Sequence, residues 1–111
     1  MLRFVLSIGI TGIVLALLTW GNYRFVVQNP GGNDFLVHWS GTRTFLTEGI
    51  SPYSDEAALR IQQAAYGRAA LPGEHELRVA YPLYSIVFFF PFSLISDFSM
   101  ARALWMTVME M

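Results

Sequence analysis

The run from Phe4 to Trp20 constrains this chain more than any other feature. It holds 17 almost wholly apolar or small residues, and no charge falls between Arg3 and Arg24. As a helix rising ~1.5 Å per residue it reaches roughly 25 Å, enough to span a bilayer core once its flanks are included. Gly9, Thr11 and Gly12 are tolerated in such a helix. Trp20 and Tyr23 sit where an interfacial aromatic belt is expected. The rival reading is a cleaved signal peptide, with Arg3 as its basic start. No A-x-A-like cleavage site follows, because the exit reads Leu18-Thr19-Trp20-Gly21-Asn22-Tyr23, so residues 1–20 are read as an uncleaved first transmembrane helix.

Composition agrees with a membrane setting. Only 14% of the residues are charged and 54% are hydrophobic, against roughly 25% charged in soluble domains. The net charge of −1 gives no basic footprint for nucleic acid. With no cysteine, a disulfide framework, a thiol nucleophile and a cysteine zinc site are all excluded.

Residues 21–80 form a polar loop with five arginines (24, 43, 60, 68, 78) and six acids (34, 48, 55, 56, 74, 76). Asn29-Pro30-Gly31-Gly32-Asn33 is turn chemistry. Asn33 or Asp34 then caps a helix expected near 34–48, with Phe35, Leu36, Trp39 and Leu46 on one side, Phe45 close by, and Gly49 as its stop. Ser51-Pro52-Tyr53 is a turn. Ser54 caps a second short helix near 55–68, whose first-turn Asp55 and Glu56 suit the helix dipole. Glu56 and Arg60 make an i,i+4 pair, and Pro72-Gly73 follows as a break. Both helices are expected to lie along the bilayer surface.

Residues 81–96 are the second span candidate, with Pro82 in its first turn and Pro91 as a kink or early stop. Residues 97–111 are read as the start of a third span, and the chain as the N-terminal part of a longer protein. The expected fold is therefore all-α and integral to the membrane. It has two transmembrane helices, the beginning of a third, and one large loop. Charge leaves the orientation open: five arginines in the loop oppose Arg3 and Arg102, and the positive-inside rule weakens for loops of this length.

Asp34 is the residue on which function turns. Spacing alone favours a helix cap. A general base at the membrane face is the alternative, and a helix start would keep that same carboxylate ionised. Asp34 and His38 stand one turn apart, the spacing of two metal ligands, but a real site needs three or more. His75 could add a ligand, although a solvated loop residue is the simpler reading. Arg43 and Arg78 have the fork geometry that grips phosphate. No Gly-rich phosphate loop, H-E-x-x-H or serine triad is present.

The order Asn33-Asp34-Phe35, Phe45-Leu46-Thr47-Glu48-Gly49-Ile50-Ser51-Pro52-Tyr53, Tyr81-Pro82, Pro91-Phe92 and Ala101-Arg102-Ala103-Leu104-Trp105 resembles the N-terminus of GT-C class membrane glycosyltransferases. The likeness is nearest to the bacterial polyprenyl-phosphate-mannose-dependent mannosyltransferase-like family, glycosyltransferase family 87. Leu83 stands where that family often has a second proline. The resemblance implies a partial GT-C fold in the cell inner membrane, multi-pass, with loop 21–80 extracytoplasmic and carrying two membrane-parallel helices. It implies Asp34 as the catalytic base. His38, Arg43, Tyr53, Arg78 and Tyr81 are the candidate substrate-binding residues beside it. The donor would be a sugar, such as mannose, on polyprenyl phosphate. No metal ligand is assigned, and metal assistance stays open. The expected partners are membrane lipid and the lipid-linked donor, with no nucleic acid. A GT-C fold needs many more spans, so the chain alone is expected to be inactive. A small membrane interaction protein and a piece of a transporter or flippase are the other readings.

Overall fold

The structure is a computed structural model that describes residues 1–111. It is all-helical: α1 (Leu2–Gln28), α2 (Asn33–Glu48), α3 (Asp55–Tyr66), a 3-10 turn (Leu83–Ser85), α4 (Ile86–Ser93) and α5 (Phe98–Met109). The first helix runs beyond the expected end at Trp20. Nothing between Gly21 and Gln28 breaks it, and its ladder closes only when the Asn29 N–H meets the Phe25 carbonyl at 2.8 Å. Its 27 residues give a length of about 40 Å. It is long and apolar enough to cross a membrane. Val26 is its one fully buried residue; α5 covers one side of its C-terminal half through Thr19 and Asn22, and most of its large apolar side chains, from Leu2 to Leu18, stay exposed.

The Asn29–Gly32 turn appears as expected, but neither Asn33 nor Asp34 caps α2. Gly32 does, in the left-handed region at φ 76° with no side-chain cap bond, so Asn33 and Asp34 already belong to the first turn. Glycine is required there twice over. The backbone is strained for other residues, and an added Cβ would lie 2.5 Å from Arg102 Nε. That guanidinium passes Gly32 to donate to the carbonyls of Asn29 (3.1 Å) and Gly31 (3.3 Å), tying the turn to α5.

α2 is the centre of the packed body. Leu36 and Val37 join Ile61 of α3 and Leu77 of the following loop in the buried core. Phe35 turns the other way, into an aromatic nest. Its ring centroid lies 5.1 Å from Trp105, 5.9 Å from Phe98, 6.3 Å from Phe89 and 6.4 Å from Phe92. Phe45 and Leu46 stay exposed, so the apolar side is confined to the first half of α2. Gly41 lets the loop in: a Cβ there would lie 2.7 Å from Val79 Cγ2. α2 stops at Gly49, as expected, in the left-handed conformation.

α3 starts at the anticipated Ser54 cap, whose hydroxyl accepts from the Ala57 N–H at 3.1 Å. It ends one residue before left-handed Gly67. Arg60 pairs with Glu56 in its own helix and with Glu48 at the end of α2, joining the two. A turn with Gly73 at φ 89° at its corner, closed from Glu74 N–H to Leu71 carbonyl, then reverses the chain. Two bonds from the Arg68 guanidinium, then the Leu71 N–H, hold the Glu74 carboxyl down at about 2.

The expected second span over 81–96 is not one straight helix. Pro82 supports only a single 3-10 turn, α4 has eight residues with Pro91 inside, and Leu83–Ser93 is bent 110° against α5. The end of α4 is fixed from α2. The Trp39 indole N–H lies 3.2 Å from the Phe92 carbonyl and 3.1 Å from that of Ile95, and Arg43 donates to the Ser93 carbonyl at 2.8 Å. The Ser93 carbonyl is one of the acceptors a helix leaves open at its C-terminus, and a cation there also suits the dipole. Asp97 then caps α5 through the Met100 N–H.

Replacing Phe35 with alanine empties the nest between three helices, and we expect a loss of about 3–5 kcal/mol. Phe45→Ala, at an exposed position of the same helix, should cost under about 1 kcal/mol. Denaturation of the two variants in detergent micelles checks the difference.

Candidate active site

The first turns of α2 place Asp34 and His38 one above the other, as i,i+4 residues must be. The chain returning from α3 passes opposite them. Between the two lies a cavity of about 350 Å³, lined by Asp34, His38, His75, Arg78, Tyr81 and Phe89, with Phe35 and Trp105 among its apolar walls. Four of the six residues singled out in the sequence therefore meet at one place: Asp34, His38, Arg78 and Tyr81.

His38 is held between two rings. Tyr81 stacks on it at 4.4 Å and Phe89 at 4.6 Å, with interplanar angles of 22° and 14°. Burial among these rings lowers the imidazole pKa, and the Asp34 carboxylate opposes that in part. His38 is thus held toward its neutral form, able to donate through one nitrogen and accept through the other. In linkage terms its contribution to stability is present above the ordinary value of 6.5 and lost as pH falls through the lowered folded value. Tyr53, at the turn after α2, braces this stack from behind. Its hydroxyl donates to the Tyr81 carbonyl at 2.6 Å. Tyr53 lies outside the main cavity and acts on Tyr81.

Arg78 stands at the cavity wall with its charge already engaged, by Asp55 at 2.7 Å and Glu76 at 2.6 Å. Those hydrogen bonds, Glu76 first, raise its pKa. Arg43 is not at the cavity. It is bound to the Ser93 carbonyl and lies over the Trp39 ring, 6.0 Å from its centroid. It is placed at the end of α4, apart from the other candidate residues.

His75 is the residue that spacing undervalued. The loop around it is fixed, not loose. The Tyr66 hydroxyl donates to its carbonyl at 2.9 Å, and Gln62 donates to the Glu76 carbonyl at 2.8 Å. The Leu77 N–H donates to His75 Nδ1 at 2.9 Å, which leaves the proton of the neutral ring on Nε2. Leu77 itself has φ 50° and is buried. A branched residue in that region costs of order 1–3 kcal/mol and persists only where its surroundings over-determine it. Here the core takes the side chain while α3 ties down the flanking backbone.

No group of three His, Asp or Glu side chains assembles. Asp34 and His38 thus gain no third partner toward a metal cage. What the arrangement offers is a carboxylate acceptor on one side, donors from the returning loop on the other, and aromatic walls between. Comparison with family profiles, curated proteins and solved structures found no match to this chain.

The imidazole signals of His38 in micelles should titrate with a midpoint below 6.5. Asp34→Asn removes the opposing charge and should lower the midpoint further. An unchanged midpoint in that variant would show that the Asp34 charge does not reach His38. Proton NMR across pH 4 to 8 reads both.

Proposed function

We propose that this chain is part of an inverting membrane glycosyltransferase, with Asp34 as its general base. One observation carries the reading. The Asp of the motif Asn33-Asp34-Phe35 opens on the cavity that also gathers Tyr81 of the Tyr81-Pro82 motif, together with His38 and Arg78. The uncovered apolar surface of α1 supports a first span in the cell inner membrane. The family likeness supports an extracytoplasmic position for the residues between α1 and α4.

The chemistry asked of the site is one displacement. Asp34 takes the proton from an acceptor hydroxyl as that oxygen forms its bond to the sugar anomeric carbon. The bond from that carbon to the phosphate oxygen breaks, and polyprenyl phosphate leaves with the electron pair. Attack from the opposite face inverts the centre. Arg78 and His38 bind the polar part of the ligands, and Tyr81 closes the wall with Tyr53 behind it. Because Arg78 is shared with two carboxylates, it serves better as an oriented donor than as a free cation. The donor is a hexose such as mannose on polyprenyl phosphate, which requires a site at the lipid surface. No step is routed through a metal. The transporter and interaction-protein readings account for α1 but give the Asp34 cavity no task.

General-base catalysis contributes about 10²–10⁴ in rate. In the full-length gene product, Asp34→Asn should reduce sugar transfer from a polyprenyl-phosphate donor by that factor, with membrane insertion unchanged. Transfer at the unmodified rate would remove Asp34 from the role of base.

A further inference from the structure

α4 is placed for a task that neither a transmembrane helix nor a core helix performs. α5 runs antiparallel to α1. Thr107 is bonded to Thr19 at 3.2 Å and Asn22 at 3.1 Å, while Arg102, earlier in α5, reaches the carbonyls of Asn29 and Gly31. α5 therefore begins beside the C-terminal end of α1. The 110° bend sets the α4 axis within about 20° of perpendicular to α5. If α1 crosses the bilayer, which rests on the membrane reading above, α4 lies nearly in the membrane plane. Its level follows from length. The 27 residues of α1 extend about 40 Å, close to the 40–45 Å of a bilayer with its headgroup layers. The end of α1 where α5 begins is then at headgroup level.

The two sides of α4 differ in what meets them. Phe89 and Phe92 face Phe35, and Ser93 is buried. Val87 and Phe88 lie on the opposite side, flanked by Tyr84 of the 3-10 turn before α4 and Leu94 just after it, and the four have 73%, 70%, 72% and 59% of their surfaces exposed. No charged residue occurs from Val79 to Ser96. An uncharged, aromatic-containing stripe lying in plane at that level matches the boundary between headgroups and acyl chains. We propose that the Tyr84–Val87–Phe88–Leu94 stripe docks on the lipid bilayer and that α4 rests in its surface instead of crossing it. Tyr81 and Phe89 belong to this same segment and line the Asp34 cavity, so docking holds that cavity against lipid.

The chain has no cysteine, so one nitroxide can be placed at a time in the full chain. Tyr84→Cys, Val87→Cys, Leu94→Cys and Ile10→Cys, each spin-labelled, are reconstituted in phosphatidylcholine–phosphatidylglycerol vesicles. Collision with oxygen and with a water-soluble nickel chelate then reads depth. The expected result is a common shallow depth for labels at 84, 87 and 94, and a deep label at 10. Depth changing by about 15 Å from 84 to 94 would make α4 a crossing segment and overturn the proposal. So would nickel-accessible labels at all three sites, or labels shielded from both reagents by covering protein. A label at 10 in water would overturn the membrane reading itself. A deep label at 10 with any of the preceding results isolates the failure to α4.

Discussion

Burial of the Phe35 ring is the interaction on which the body of this protein depends. Beyond α1 the chain fully buries little of its apolar mass. Its closed core is four residues, Leu36, Val37, Ile61 and Leu77. Phe35 adds the contact that core lacks, because its ring meets α4 through Phe89 and Phe92 and α5 through Phe98 and Trp105. Aromatic pairs at these separations add to the simple burial of their area. Without that anchor the short α4 keeps the Trp39 and Arg43 hydrogen bonds and the stacking of Phe89 on His38. The same two turns of α2 also carry Asp34 and His38, so the packing that fixes the fold fixes the site.

The other wall of the cavity is built differently. It comes from a segment without regular structure, His75 to Tyr81, made rigid by single ties. Gln62 and Tyr66 hold its backbone, Leu77 plugs the core at a strained dihedral, Asp55 and Glu76 hold Arg78, and Tyr53 holds Tyr81. Each tie is a local bond of modest net strength. Together they give irregular backbone the fixed geometry that a binding wall requires.

The parts legible in the sequence are those written in local chemistry. The Ser54 cap, the Gly49 stop, the Glu56–Arg60 pair and the Asn29–Gly32 turn need only neighbours along the chain. The apolar run of α1 is equally plain, though its end was placed early because aromatic and polar residues such as Tyr23 and Asn22 do not break a helix. What sequence could not supply was long-range. Arg43 looked like a phosphate fork, yet it serves carbonyls fifty residues away. His75 carried no period, since its segment has none, and its place opposite Asp34 follows from α3 and Leu77. The bend between α4 and α5 falls after Ser93, where Trp39 and Arg43 take up the carbonyls and Asp97 caps a new helix. The apolar run over 81–96 reads the same whether it bends or not.

The central claim is that the space between Asp34 and the returning loop receives a polyprenyl phosphate. Ala80 lines that space and is exposed, and the chain has no competing thiol. Ala80→Cys can therefore report occupancy through its rate of modification by a water-soluble maleimide, with Gln63→Cys on the outer side of α3 as reference. Adding a short-chain polyprenyl phosphate to the full-length protein should slow labelling at position 80 several-fold and leave position 63 unchanged. Equal rates at position 80 with and without the lipid would contradict the account.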